Sequence, residues 1–414
     1  MVKYNKLNTY INESIKMRDT PLCLYPFYHQ LVRPDGTGMP CCSFNESKNF
    51  LSNIHHSEFF HSKWMDDLRA GMWEDTVPGG CKSCIAGEEA GGVSNRSISF
   101  WKAKNIGFDF NTQPPTLLGQ ELNVSNLCNL RCRMCDSSRS SKWIAEDLAY
   151  NRPTARLQQS GWVLSAEEAK TIKFLTFLGG EPMLHQDCMI TSLNEVKKHN
   201  RLAEVGIYIN SNMVTRLENE LVELMTECEY VDFNASIDGY GPMNDYIRSD
   251  SKWEILTENL LYLDSMCGEY KNFRWQPINT VTVLNCNKMH ELYEWLAITF
   301  THSDQPSSAI LAIEPWHMAV NNLPDDVKEI LRVQLTDLKN LSTRKHLQRQ
   351  GVFSKWVWDT HYKSLYNYVS MQPASYPTDL DWKEEFWRFT NFLDNGRGTK
   401  FSDVNPEMAE WLKI

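Results

Sequence analysis

From residue 121 onward, short apolar runs alternate with amphipathic stretches, and that rhythm predicts a parallel α/β sheet. The predicted strands are ELNVSN (121–126), IKFLTFLGG (172–180), VGIYINSN (205–212), YVDFNASIDG (230–239), NTVTVLN (279–285) and AILAIEP (309–315). Between them SKWIAEDLAY, HQDCMITSLNEVKKH, RLENELVELMTEC, WEILTENLLYLDSMC and MHELYEWLAITF space their apolar positions as helices do. Ser165 with Glu168 adds a capping-box signal before the second strand. Such units are too few here to close an eight-stranded barrel. In parallel α/β folds chemistry gathers at the C-terminal ends of the strands. The polar features of this chain fall there: Cys128 to Cys135 after the first strand, Gly179 to Pro182 after the second. Asn210 and Asn212 follow the third, Ser236 and Asp238 the fourth.

Outside that rhythm the chain reads differently. From about Pro324 onward it holds the aromatic-rich stretches SKWVWDTHYKSLYNYV and DWKEEFWRFTNFLDN, read as helices packed on the open side of the sheet, or else lining a substrate pocket. The expected division is an N-terminal cysteine-rich segment (1–116), a barrel (117–320) and a helical extension (321–414). With 42% hydrophobic residues among 414, the chain can bury a substantial core. Its net charge of −10 leaves no broad basic footprint for nucleic acid. Arg344, Lys345, His346 and Arg349 cluster locally and read as a solvated helix face. No apolar run has the length of a membrane span, and MVKYNKLNTYINESIKMRD lacks the core of a signal peptide.

Twelve cysteines without a secretory signal point to a reducing cytoplasm, where clustered thiols mean metal or redox chemistry. Cys128, Cys132 and Cys135, in NLCNLRCRMC, are spaced Cys-x3-Cys-x2-Cys. Three thiolates hold three irons of a [4Fe–4S] cube and leave the fourth open, whereas structural zinc recruits a fourth protein ligand. The N-terminal segment carries Cys23, Cys41, Cys42, Cys81 and Cys84, the last pair in a GGCKSC knuckle. Four thiolates from three loops suit either a zinc site or an iron–sulfur cluster, with Cys41 expected over its neighbour Cys42. Cys188, Cys228, Cys267 and Cys286 are scattered and read as core filling.

The triplet followed by GGEP at Gly179, Gly180, Glu181 and Pro182 resembles the radical S-adenosylmethionine (SAM) superfamily, over about Glu121 to His317. The resemblance implies an open, partial (β/α)6 barrel of TIM type. SAM's amino and carboxylate groups would chelate the open iron. An electron from the reduced cluster would then cleave the C5′–S bond, and the 5′-deoxyadenosyl radical would take a hydrogen atom from substrate. GGEP would receive the methionine amino group of SAM. Ser236, Asp238 and Arg248, in NASIDG and NDYIRSD, resemble the segment for its carboxylate and ribose, and Asn210 or Asn212 the polar residue at the ribose hydroxyls. Met134 stands where the family most often has an aromatic residue beside the adenine. The N-terminal cysteines with GEEAGGVSNR resemble a twitch domain, a shortened relative of the SPASM domain, which implies a second [4Fe–4S] cluster. LDNGRGTK with FSDVNPEMAEWL resembles the family's C-terminal tail.

The expected partners are a low-potential donor of flavodoxin or ferredoxin type and a substrate that is a peptide, sugar or other small polar molecule. The alternatives are a non-catalytic protein with zinc in both cysteine groups, and an enzyme using SAM as methyl or aminocarboxypropyl donor. The sequence singles out no catalytic hydrogen donor or acceptor.

Overall fold

The computed structural model describes residues 22–44, 53–74, 76, 78–89, 94–302, 310–311, 315–341, 366–367, 369–370 and 381–412. The basic cluster at 344–349, most of SKWVWDTHYKSLYNYV, the middle of GEEAGGVSNR and all of the last predicted strand except Ile310–Leu311 and Pro315 lie outside them.

Among the described residues the strands are β1 (His29–Val32), β2 (Gly38–Met39), β3 (Gly119–Asn123), β4 (Arg131–Cys132), β5 (Phe174–Leu178), β6 (Gly206–Ser211) and β7 (Tyr230–Ser236). They continue with β8 (Arg248–Ser249), β9 (Phe273–Ile278), β10 (Thr280–Val281) and β11 (Ile310–Leu311). Seven of them form one open sheet in the order β2-β1-β3-β5-β6-β7-β9. The β1–β3, β3–β5 and β7–β9 pairs are parallel, and only the short β2 is seen to run antiparallel. This is a mostly parallel α/β sheet of the partial-barrel kind.

The chain divides into two compact units. The first is Met1–Asn126, Gln158–Tyr208 and Glu220–Glu229; the second is Leu127–Leu157, Ile209–Asn219 and Tyr230–Ile414. In the first unit β3 and β5 are buried on both faces; β5, FLTFL, is the near-continuous apolar run a covered parallel sheet expects, whereas β3 buries Gln120 and Glu121 as well as Leu122. The helix Gln186–Lys198 turns Met189, Leu193 and Val196 inward at four- and three-residue intervals. The Ser165–Glu168 capping box forms as read from the sequence.

In the second unit β7 alternates strictly: Val231, Phe233 and Ala235 are buried, with Asp232, Asn234 and Ser236 on the other face. That other face is polar on the neighbouring strand too. Asn234 donates to Asn210 at 2.6 Å and accepts from Gln276 at 2.8 Å, and Arg274 pairs with Asp232.

Two elements differ from the sequence reading. The expected strand at 279–285 is only Thr280–Val281; the long strand is β9, just before it. Asn285 explains the first half. Its side-chain oxygen accepts from Thr282 N–H at 2.8 Å, and its amide donates to Thr280 and Asp238 carbonyls, so a polar turn wins over the β-branched run. Pro277 disguised the second; it is tolerated because β9 ends the sheet. The other difference is β1, which lies parallel beside β3 in full register, so the N-terminal segment supplies a strand to the same sheet.

Candidate active site

The exit of β3 leads into the cysteine loop. Cys128, Leu130 and Cys132 pack as one buried cluster with Met134, Cys135 and Val214 around it. The loop folds tightly on itself, Cys135 N–H donating to the Cys132 carbonyl at 2.9 Å. Side chains grip its backbone: Trp143 Nε1 donates to the Cys132 carbonyl at 2.9 Å, Ser140 Oγ to Leu130, and Arg152 to the Cys135 carbonyl.

Arg248 is placed by backbone pairing. β4 and β8 form a two-residue antiparallel ladder that sets Cys132 opposite Arg248. Its guanidinium lies 3.7 Å from Cys132 Sγ and 2.8 Å from Asp238 Oδ2. The Asp238 contact is ionic, without the alignment of a hydrogen bond. Asp238 is fully buried, and its other oxygen accepts from Thr280 N–H at 2.7 Å. Burial works against the Arg248 cation, but Asp238 and Cys132 outweigh it and hold its pKa above the ordinary arginine value.

Burial pushes the Cys135 thiol up to about 11, the charge of Cys128 adding to it. The Cys132 thiol rises further, through burial first, with Arg248 opposing. Cys132 and Cys135, desolvated beside Cys128, therefore favour the protonated form unless a cation compensates them, which suits thiolate ligation of a metal group. Among the described residues no group of three Cys, His, Asp or Glu side chains is set to hold a metal ion. The fit to a cluster rests on the kind and order of the donors.

Asn210 and Asn212 part company. Asn210, near the end of β6, faces the amide row with Asn234 and Gln276. Asn212 lies one residue past the strand and donates to Asn129 Oδ1 at 2.7 Å, inside the cysteine loop. Ser236 ends β7.

In the first unit, Gly179 has φ +130°, and a Cβ there would sit 2.7 Å from the Ser125 carbonyl oxygen. The same oxygen accepts from Gly180 N–H at 2.8 Å. Only glycine fits such an approach at such an angle. Glu181 is buried and caps the turn Pro182–His185 through Met183 N–H at 3.0 Å. GGEP is thus a formed strand-exit turn whose acid serves as a cap.

The N-terminal cysteines also gather in the first unit. Cys23 and Cys41 are buried in one apolar cluster, with Cys81 packed against it. Burial raises Cys23 to about 11 and Cys81 to about 12; Cys84 adds to both, and Cys23 adds to Cys81 and to Cys41. Cys42 turns elsewhere: it is exposed, its N–H donates to Glu121 at 3.2 Å, and its sulfur accepts from Asn95 at 3.3 Å.

Residues 122–266 match the sequence profile of the radical SAM superfamily. That stretch is similar to a radical SAM domain. The matched stretch begins within β3 and ends in the helix Trp253–Glu269, so it takes in the cysteine loop, GGEP and Arg248. No curated protein matches the chain. Two solved structures illustrate the structural likeness. Native anSMEcpe with bound AdoMet is 14% identical, covering 54% of this chain and 61% of that one, with a TM-score of 0.38. Streptococcus suis SuiB bound to S-adenosylmethionine is 14% identical, covering 70% and 61%, with a TM-score of 0.37. The chain thus spans about three-fifths of each. Among the described residues no helix is long and apolar enough to cross a membrane.

The sequence reading passed over residues that hold the cysteine loop in place: Asn129 within it, and Trp143 and Arg152 outside it. Arg131 and Arg133, inside NLCNLRCRMC, were readable only as spacers. Two cations flanking a thiol were the available signal.

Proposed function

We propose that this chain is a radical SAM enzyme in which Cys128, Cys132 and Cys135 hold a [4Fe–4S] cluster and leave one corner for SAM. The observation that carries the reading is the ladder setting Arg248 against Cys132, because it puts a guanidinium beside the ligand thiols. When bound, the cluster supplies the electron that cleaves the sulfonium C5′–S bond of SAM.

The chain's own residues do the rest. Arg248, held in place by Asp238, offers a planar fork to the SAM carboxylate. Gly179 and Gly180 leave room at the β5 exit for the amino group, and Glu181 and Pro182 fix that turn. Met134 fills the adenine side with a polarisable thioether. Ser236 serves the ribose hydroxyls. Asn212 serves the cysteine loop through Asn129, and Asn210 belongs with Asn234 and Gln276 on a wall that suits a polar substrate, peptide or small molecule.

Cys23, Cys41, Cys81 and Cys84 are proposed to hold an auxiliary [4Fe–4S] cluster, the segment 1–116 being its carrier. The electrostatic closeness of these thiols supports Cys41 over Cys42. A low-potential flavodoxin- or ferredoxin-type donor would reduce the enzyme.

Anaerobic reconstitution should give brown protein with about eight irons, four per cube. Reduction with dithionite in the presence of SAM should then yield 5′-deoxyadenosine. Cys132→Ala should lose that product and the loop's iron while keeping the N-terminal iron. Colourless protein with two zinc atoms and no 5′-deoxyadenosine would overturn the reading. Methylthioadenosine in its place would move the enzyme to group transfer.

A further inference from the structure

The string Asp394-Asn-Gly-Arg397-Gly-Thr399 closes the helix Trp382–Arg397 and has no role in the chemistry just described. Its side chains reach the cysteine loop. Arg133, between Cys132 and Cys135, is fully buried, and its Nη2 donates to Asp394 Oδ1 at 2.6 Å and to Thr399 Oγ1 at 2.8 Å. Its Nε donates to the Tyr246 carbonyl, and its guanidinium lies 3.6 Å over the Tyr246 ring. Arg397 donates to the Arg131 carbonyl at 2.9 Å and to Ser249 Oγ at 2.8 Å, and it pairs with Glu146. Both strands of the short ladder that sets Cys132 against Arg248 are thus tied to this one helix end.

The helix end is built for the purpose. Gly398 takes φ +66°, the left-handed cap that turns the chain back on itself. Asp394 can then accept from Thr399 Oγ1 and Phe401 N–H as well as from Arg133, so its buried oxygens are satisfied. Opposite charges pair around the loop: Arg131 and Lys142 with Asp250, Arg133 with Asp394, Arg248 with Asp238 and Arg397 with Glu146.

Resting on the reading of Cys128, Cys132 and Cys135 as cluster ligands, we infer that Asp394, Arg397 and Thr399 are positioning residues for that cluster. The C-terminal tail fixes the loop's conformation and sets its local charge. Outer-shell partners of metal ligands act in this way.

The test uses the full chain, anaerobically reconstituted, with Arg397→Met, Asp394→Asn and, as a control, Leu412→Ala. Leu412 is fully buried at the chain's end and touches none of the loop contacts described above. Three readouts are taken: melting temperature, rate of loop-cluster loss to a chelator, and the midpoint potential and EPR spectrum of the reduced loop cluster. Cys132→Ala protein separates the loop's signal from the N-terminal one. Arg397→Met should lose its loop cluster about 10- to 100-fold faster. Asp394→Asn should shift the potential positive, because a carboxylate is removed beside Arg133, and both should alter the EPR line shape. The control should lower melting temperature alone. Wild-type retention, potential and spectrum in both tail variants would overturn the inference, as would cluster loss that merely follows melting temperature in all three. If the wild type takes up no iron at the loop, it is the proposed function that fails.

Discussion

At the scale of single residues, Gly179 and Arg248 make opposite demands. Gly179 is fixed by backbone geometry: a positive φ and a carbonyl 2.7 Å from any added Cβ. Gly179→Ala should cost about 1–3 kcal/mol through backbone strain, seen as a lower urea midpoint before any cofactor is added. Arg248 is placed by backbone pairing, and its guanidinium is held by charge. Arg248→Met would strand the buried Asp238 carboxylate, so stability should fall as for any broken buried pair, and in protein that still takes up loop iron the equilibrium binding of SAM should weaken. Both residues stood out in the sequence, Gly179 in GGEP and Arg248 in NDYIRSD. Glu181 shows the limit of that kind of reading. Its carboxylate caps a turn through Met183, a use that spacing alone does not distinguish from ligand binding.

At the scale of elements, the buried Arg133–Asp394 ion pair is one of the links between the cysteine loop and the helix Trp382–Arg397. Asp394→Ala would leave Arg133 buried without its carboxylate, a loss of about 3–5 kcal/mol for a broken buried pair. Replacing both partners with apolar residues should recover part of it, and a double-mutant cycle on unfolding free energies measures the coupling. The helices were legible because their apolar spacing is regular, and β7 because its alternation is strict. β9 was not, because Arg274, Gln276 and Pro277 interrupt an apolar run that tertiary burial of Phe273 and Trp275 nonetheless selects. The pairing of Arg133 with Asp394 spans 261 positions, and no local pattern announces it.

At the scale of the whole molecule, acid sensitivity has an identifiable source. His317 is buried beside Phe389 and Trp316, and burial, with Arg152 and Arg388 adding to it, lowers its pKa to about 3. Unfolded, the ring titrates near 6.5. Between those values the unfolded chain binds the proton and the folded one refuses it, so stability is intact above about pH 6.5 and falls as pH drops toward 3. The slope of the denaturation midpoint against pH between 6.5 and 4 should flatten in His317→Phe. The fold class was readable from the strand–helix rhythm, and the similarity to the radical SAM superfamily from the cysteine spacing with GGEP. The place of the N-terminal segment was not, because four residues, HQLV, are too short a run to declare a strand.

That short strand governs how the protein tolerates trimming. Chains that start near residue 117 would discard His29–Val32 and leave β3, a strand otherwise buried, with a bare hydrogen-bonding edge. Such an edge recruits other chains. Expressed alone, residues 117–414 should collect in inclusion bodies, even with every ligand of the loop cluster present.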